Sequence, residues 1–276
     1  LHFAIRRQRQ MCIRDRVRPA GANGLGFVAP FILDPNNDNI MYMPAGNIIW
    51  RNNNLDEIPL FSNALATVNW VSLANTAAGG TITALGVSKY PVANRLYYGT
   101  NNGFIYRMDN ANIDNQAVVD ISSGKGLPPG HVSDITVDPS NSDRLIVSFS
   151  NYGIQSLFLS DDAGETWVNI SGNLEENPDG TGNGPSVRGA AFFGSSQGFF
   201  GTKRQKVFAA TSTGLYYANS LRGEKTRWIK EPIVIGNAVI HQVKTRKDGF
   251  VGVAAHGNGL FSARFPMILN LSLIHI

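Results

Sequence analysis

One unit recurs along this chain: an apolar strand, a turn, a second strand, a glycine-containing turn, and a third strand with an aromatic pair or a tryptophan. Copies begin at Phe27, Ile82, Val132, Val187 and Val239, so successive starts lie 55, 50, 55 and 52 residues apart. The apolar runs are short and rich in β-branched and aromatic residues. Gly, Asn, Asp and Ser turns separate them, and helical periodicity is missing, which argues for an all-β chain. The turns Gly46-Asn47, Asn102-Gly103, Thr213-Gly214 and Asn258-Gly259 supply the residues that a tight hairpin needs.

Fourth strands follow around Val68–Leu73, Ala117–Ile121, Glu165–Ile170 and Arg227–Glu231. Four antiparallel strands in a period near 50 is the length of a β-propeller blade, whereas leucine-rich and β-helix repeats are far shorter. The expected blades lie near 26–75, 80–123, 131–172, 186–232 and 238–265. The fifth unit stops after its third strand, and in propellers the N-terminus commonly supplies such a missing outer strand. The chain is expected to be part of a larger propeller within a multidomain protein.

The ends do not share the repeat. Residues 1–16, LHFAIRRQRQMCIRDR, and the closing LSLIHI at 271–276 resemble translated sequencing-adapter sequence, so the fold is read from 17–270. The whole chain carries 24 Lys+Arg and 20 Asp+Glu, and residues 1–16 hold five of the former and one of the latter. The remainder is therefore neutral, and the basic balance is no argument for nucleic acid. The single cysteine, Cys12, falls in the same segment, so disulfides, thiol catalysis and zinc–cysteine sites are not expected in the rest. No run of 18 apolar residues predicts a membrane-spanning helix.

The third unit contains Ser160, Asp162, Gly164, Thr166 and Trp167 in the order S-x-D-x-G-x-T-W. Asp162 can accept turn amides, Gly164 can take the positive φ that closes the hairpin, and Trp167 offers an apolar plate to the next sheet. This string is an Asp-box. The chain from 26 to 265 resembles the BNR-repeat, sialidase-like and sortilin-like β-propellers, including xyloglucanase-type glycosidases and secreted propellers of Bacteroidota-like bacteria. The strand D-I-x-V-D-P from Asp134 to Pro139, D-P-N-N from Asp34 to Asn37, and HGNGLFSA from His256 to Ala263 fit the same group. The resemblance implies an extracellular or cell-surface protein, with the Asp-box on the outer edge of its blade, away from the ligand face. It is read as structural rather than as catalytic or calcium-binding carboxylates.

Catalysis is not expected from the visible blades. In xyloglucanase-type relatives a catalytic Asp stands just before a blade's glycine turn, where this chain has Asn101, Asn151, Ser212 and His256. The arginine triad, Tyr and Glu of sialidases are not assembled either, and glycoside hydrolysis requires two carboxylates flanking one bond. A glycosidase reading rests on carboxylates in further blades. The candidate binding residues are Asn101, Asn102, Asn151, Tyr152, His256 and Asn258. They fall at turns on one rim, where amides could bond sugar hydroxyls and Tyr152 or Phe104 could stack on a ring. Hairpin turn chemistry accounts for the same asparagines. His256 and His131 have no second ligand at suitable spacing, so neither a metal nor a cofactor is expected.

Charge divides by sector. Residues 17–185 carry 7 basic and 16 acidic side chains, and residues 186–270 carry 12 and 3. The basic sector includes Lys203, Arg204, Lys206, Lys225, Arg227, Lys230, Lys244, Arg246 and Lys247. It could meet an anionic polysaccharide, or simply protect outer strands from edge pairing. The polar insertion 174–185 is expected to be an exposed, mobile loop. Taken together, the sequence predicts a binding or scaffold module for extracellular polysaccharide or protein.

Overall fold

A computed structural model describes residues 17–27, 29–60, 62, 64–194 and 205–265. The expected non-native ends, and Lys203 and Arg204 of the basic sector, lie outside them. The described residues form five antiparallel sheets, each a meander in chain order. The first comprises β1 (Ile32–Asp34), β2 (Asn37–Ala45), β3 (Ile48–Asn52) and β4 (Trp70–Leu73). The second comprises β5 (Ile82–Val87), β6 (Leu96–Thr100), β7 (Ile105–Met108) and β8 (Val118–Asp120). The third comprises β9 (Val132–Asp138), β10 (Asn141–Phe149), β11 (Leu157–Ser160) and β12 (Val168–Asn169). The fourth comprises β13 (Val187–Phe193), β14 (Lys206–Thr211), β15 (Gly214–Ala218) and β16 (Ile229–Lys230). The fifth has three strands, β17 (Ile240–Thr245), β18 (Phe250–Ala255) and β19 (Gly259–Arg264). This is the blade pattern of a β-propeller.

The first strands are innermost: β5 packs on β9, β9 on β13, and β13 on β17. Sheets meet face to face, so their buried residues form inter-sheet cores. Tyr42, Ile49 and Leu73 of the first sheet join Leu85, Leu96 and Met108 of the second. Ile146, Leu157 and Leu159 of the third join Val207, Ala209 and Trp228 around the fourth. Gly99 lies in the middle of β6 because a Cβ there would come within 2.4 Å of Val132 on the next sheet. The absent side chain allows the inner strands to approach.

Two tryptophans fasten the outer edges. Trp167, just before β12, donates its Nε1–H to the Ile121 carbonyl of the second sheet at 2.8 Å. Trp228, just before β16, makes the same bond to the Ile170 carbonyl of the third sheet, also at 2.8 Å. Trp70 opens β4 in the corresponding register, opposite Asn52, but its buried Nε1 has no hydrogen-bond partner. The opposite face of the first sheet is covered by the chain's own residues: Pro19 bridges Ala66, and Ala22 is buried.

The turn at 160–167 follows the expected logic and adds to it. Asp162 accepts the Thr166 amide at 2.9 Å and its hydroxyl at 2.5 Å, while Ser160 Oγ accepts the Gly164 amide at 2.8 Å. Burial works against ionisation of Asp162, but hydrogen bonds from Thr166 and Ser160 outweigh it and hold the carboxyl below its ordinary value. Both Ala163 and Gly164 have positive φ, so the hairpin spends two left-handed residues where the sequence reading expected one. Asp161 pairs with Arg144 at 3.1 Å. The turn lies at the far end of β11 from the β10–β11 connection.

Because each indole bond joins two sheets, its removal should cost more than the local hairpin it sits in. Trp228→Phe and Trp167→Phe are expected to lower unfolding free energy by about 1–3 kcal/mol, the cost of losing the bond and leaving a carbonyl unpaired. Trp70→Phe, which loses no bond, should cost less. Urea denaturation followed by far-ultraviolet circular dichroism gives the order.

Candidate functional site

The inner strands of sheets two to five share an irregularity at their starts. The register skips one residue between Ile82 and Ala84, between Val132 and Asp134, between Val187 and Gly189, and between Ile240 and Gln242. The extra residue is a β-bulge, which bends the strand and redirects a side chain. The bulged residues are Thr83, Ser133, Arg188 and His241.

Each of the first three reaches the next sheet. Thr83 Oγ1 donates to the Val132 carbonyl at 2.7 Å, and Ser133 Oγ donates to the Val187 carbonyl at 3.0 Å. Arg188 is long enough to pass the neighbouring backbone, and its guanidinium stands 3.4 Å from His241 Nδ1. His241 Nε2 lies 3.1 Å from His256 Nδ1. A cation and two imidazoles therefore meet at the rim where the fourth and fifth sheets join.

The histidine pair corrects the sequence reading, which found no second histidine near His256. Ile240 pairs with Ala255; His256 lies one step beyond that pair, its amide on the Val239 carbonyl, and His241 is the bulged residue on the other side, so the two rings meet diagonally across the pair. Fourteen intervening residues separate the two in sequence. His241 titrates below the ordinary histidine value: burial contributes most, followed by the charges of Arg188 and His256. With Nδ1 facing a guanidinium donor, the neutral tautomer that fits carries its proton on Nε2 and donates it to His256. A metal on Nε2 would force a proton onto Nδ1, against Arg188. Among the described residues no group of three or more His, Cys, Asp or Glu is placed to hold a metal.

The predicted asparagines lie at the same end of the strands. Asn101 Oδ1 accepts the Thr81 amide at 3.0 Å, and Asn151 Oδ1 accepts the His131 amide at 2.5 Å. Ser212 Oγ accepts the Ser186 amide at 3.1 Å in the same role. These side chains fix the lead-ins to β5, β9 and β13, and the amide nitrogens of Asn101 and Asn151 have no partner among the described residues. Asn102 is bound at both ends, accepting from Thr100 and donating to the Gly79 carbonyl. In the fifth sheet His256 occupies the position of Asn101 and Ser212, and its ring turns to His241 instead. Asn258 is exposed in the following turn. Tyr152 is 67% exposed beside Asn151, and Phe104 is partly exposed against Tyr106.

Two further features border this rim. A cavity of about 200 Å³ is lined by Pro44, Gly46, Thr81, Thr83 and His131. Burial pushes His131 below the ordinary histidine value. The 174–185 insertion is exposed, as expected, but it is also well tied by hydrogen bonds. Glu176 accepts from Asn183, Gln155 donates to the Pro178 carbonyl, and Glu175 accepts the Ser156 amide at 3.1 Å. Burial raises the Glu175 carboxyl above its ordinary value, with the Ser156 hydrogen bonds opposing. Within the basic sector, Arg246 pairs with Asp248, while Lys206 and Lys230 lie over Tyr217 and Tyr216.

Removing the guanidinium should release His241. Arg188→Gln is expected to raise the His241 pKa toward the unperturbed value near 6.5, because a positive charge that penalises the imidazolium is gone. A proton NMR titration of the ring resonances measures this shift. A His241 pKa that stays put would mean Arg188 does not face the ring in solution.

Comparison with solved structures places this architecture among propellers. The β-propeller domain of Cps50 (Swd1) from Myceliophteria thermophila aligns over 94% of this chain and 70% of its own length, at 11% identity and a TM-score of 0.58. The GH74 xyloglucanase of Xanthomonas campestris aligns over 90% of this chain, at 16% identity and a TM-score of 0.60. The GH74 enzyme of Niastella koreensis aligns over 91%, at 18% identity and a TM-score of 0.57. The chain spans 37% of the length of each GH74 enzyme. At these identities the likeness is one of fold. No protein-family model and no curated protein sequence matches the chain. Among the described residues no helix is long and apolar enough to cross a membrane.

Proposed function

We propose that this propeller is a binding module of the cell exterior, taking carbohydrate at the rim formed by the β-bulges and the adjoining turns. The observation that carries the reading is the convergence of Arg188, His241 and His256 at one sheet junction, on the same rim as exposed Tyr152. A guanidinium with two imidazoles suits an acidic or hydroxyl-rich sugar. Tyr152 and Phe104 supply ring faces, and the open amide nitrogens of Asn101 and Asn151 supply donors. Asn258 and Asn102 border the same turns. The shared fold of two GH74 enzymes, one of them a xyloglucanase, supports a carbohydrate ligand over a protein one, which is the second choice.

A glycoside hydrolase is the competing reading, and Glu175 is the observation that favours it. Its half-buried carboxyl, raised above its ordinary value, has the property of a general acid. Hydrolysis also needs a second carboxylate within about 5–9.5 Å, and this reading assigns that group to further blades.

The full chain, incubated with plant, algal and bacterial polysaccharides, is assayed for retention and for new reducing ends in the same tubes. The expected outcome is retention without cleavage. Tyr152→Ala and His256→Ala should each weaken it about tenfold, the factor that ~1.4 kcal/mol represents. New reducing ends that vanish in Glu175→Gln would instead establish the hydrolase. Absence of both signals would shift the assignment to a protein ligand.

A further inference from the structure

Among the described residues five arginines are buried or half-buried: Arg51, Arg95, Arg107, Arg144 and Arg188. The first four each meet a carboxylate, respectively that of Asp114, Asp109, Glu165 and Asp161. Arg188 meets none among the described residues. Its Nε is buried without a hydrogen-bond partner, and its Nη1 stands 3.4 Å from His241 Nδ1.

The acids of the adjoining segments are engaged elsewhere. Asp134 of β9 lies beside Gly189, but its carboxylate accepts from the Thr136 hydroxyl at 2.8 Å and the Ala190 amide at 3.2 Å. The cation nearest to it is Lys244 of β17, at 4.0 Å. Glu175, in the insertion that leads into β13, accepts the Ser156 amide at 3.1 Å.

The repeat makes this position informative. At the equivalent bulges Thr83 and Ser133 fasten onto the next sheet through a hydroxyl. Arg188 makes no such bond among the described residues, and a half-buried cation without a counter-charge is destabilising. Its approach to the imidazole is at the long, weak end of hydrogen bonding and is readily exchanged for a better acceptor. Neither flanking ring, His241 or His256, carries negative charge in any protonation state reached near neutral pH. The junction therefore has a free guanidinium fork and no acid of its own to occupy it.

We infer that Arg188 binds the oxyanion of an acidic saccharide, either a uronate carboxylate or a sulfate ester. The guanidinium exchanges its contact with His241 for two parallel N–H···O bonds to the anion, the paired geometry that makes arginine selective for oxyanions. His256 flanks the same junction, and Tyr152 on this rim is left for the sugar ring. The inference rests on the carbohydrate reading of the rim and narrows it from hydroxyl-rich sugars to acidic ones.

The test places polygalacturonate, alginate and a sulfated galactan on biosensor tips, with neutral xyloglucan beside them, and titrates the full chain over each. Each acidic polymer has a blocked counterpart on the same backbone, esterified at its carboxylates or desulfated. Salt at 0.15 M screens diffuse attraction. At least one acidic polymer is expected to bind saturably, and blocking its anions should weaken binding at least about tenfold. Whether esterification or desulfation has this effect identifies the oxyanion as carboxylate or sulfate. Arg188→Gln should weaken binding of the acidic form as much as blocking does, and should not weaken the blocked form further. Arg188→Lys, which keeps the charge without the fork, should recover only part of the loss. Lys230→Gln removes one charge elsewhere in the basic sector and should leave binding unchanged within about twofold. A blocked polymer bound as tightly as its acidic form overturns the inference, as does an Arg188→Gln protein that binds normally. Equal losses in Lys230→Gln and Arg188→Gln also overturn it, because the attraction is then diffuse. Binding of xyloglucan alone removes this inference and leaves the carbohydrate reading standing, whereas no binding to any polymer removes both. If Arg188→Gln does not fold, the blocked polymers and Arg188→Lys decide the matter.

Discussion

An indole N–H donated across a gap between sheets to a backbone carbonyl is the contact on which the arrangement turns. A four-stranded sheet of this size buries too little surface to persist alone, and apolar packing between sheets has no preferred register. Directional bonds provide that register. At the outer edge Trp167 and Trp228 grip the preceding sheet. At the inner edge the hydroxyls of Thr83 and Ser133 grip the following one. Each junction between the second, third and fourth sheets is held at both ends, and its apolar core is positioned between them.

The same device becomes a candidate site by a change of residue type. Where the bulge carries a hydroxyl, the nearest acceptor is a carbonyl and the contact is structural. At the fourth sheet the bulged residue is Arg188, and at the fifth it is His241. Their longer side chains move the interaction from backbone to side chains and out to the rim. His241 is partly buried beside a guanidinium, and both disfavour its protonation, so its ring gains a charge only under more acidic conditions than an ordinary histidine needs. A rim of this kind strengthens its attraction for anions as pH falls.

The fold was legible because its signals are local. Gly46, Gly103 and Gly214 mark hairpins within a few residues, and Ser160 to Trp167 encode a turn whose hydrogen bonds mostly join residues two to four apart. The three-strand fifth sheet was also readable from where the apolar runs stop. The site was less legible because its geometry depends on a bulge. One inserted residue changes which neighbour a side chain meets, and nothing in the strings VRG and IHQ marks it. The histidine pair shares this dependence, since aligning Ile240 with Ala255 leaves His241 and His256 on opposite sides of that pair and the bulge at His241 brings the rings together. The dual use of Asn101 and Asn151, with oxygen bound to backbone and nitrogen left open, required knowing which amide each oxygen meets. The cover over the first sheet's outer face, where Pro19 meets Ala66, has no counterpart in the repeat and so left no periodic trace.

The indole clamp also has a sense of direction. In both clamps the donor belongs to the later sheet and the acceptor to the earlier one, so a unit that carries one presents an unlike pair of surfaces, as a monomer does in a head-to-tail polymer. Trp70, with its Nε1 buried and unpaired, is the donor end of such a unit, and the Ile121 and Ile170 carbonyls show what an acceptor end is made of. A unit duplicated in frame would find both connections already made. A unit inserted in reverse would find neither. Propellers built this way can change their number of sheets by copying alone, with no new interface to invent at the seam.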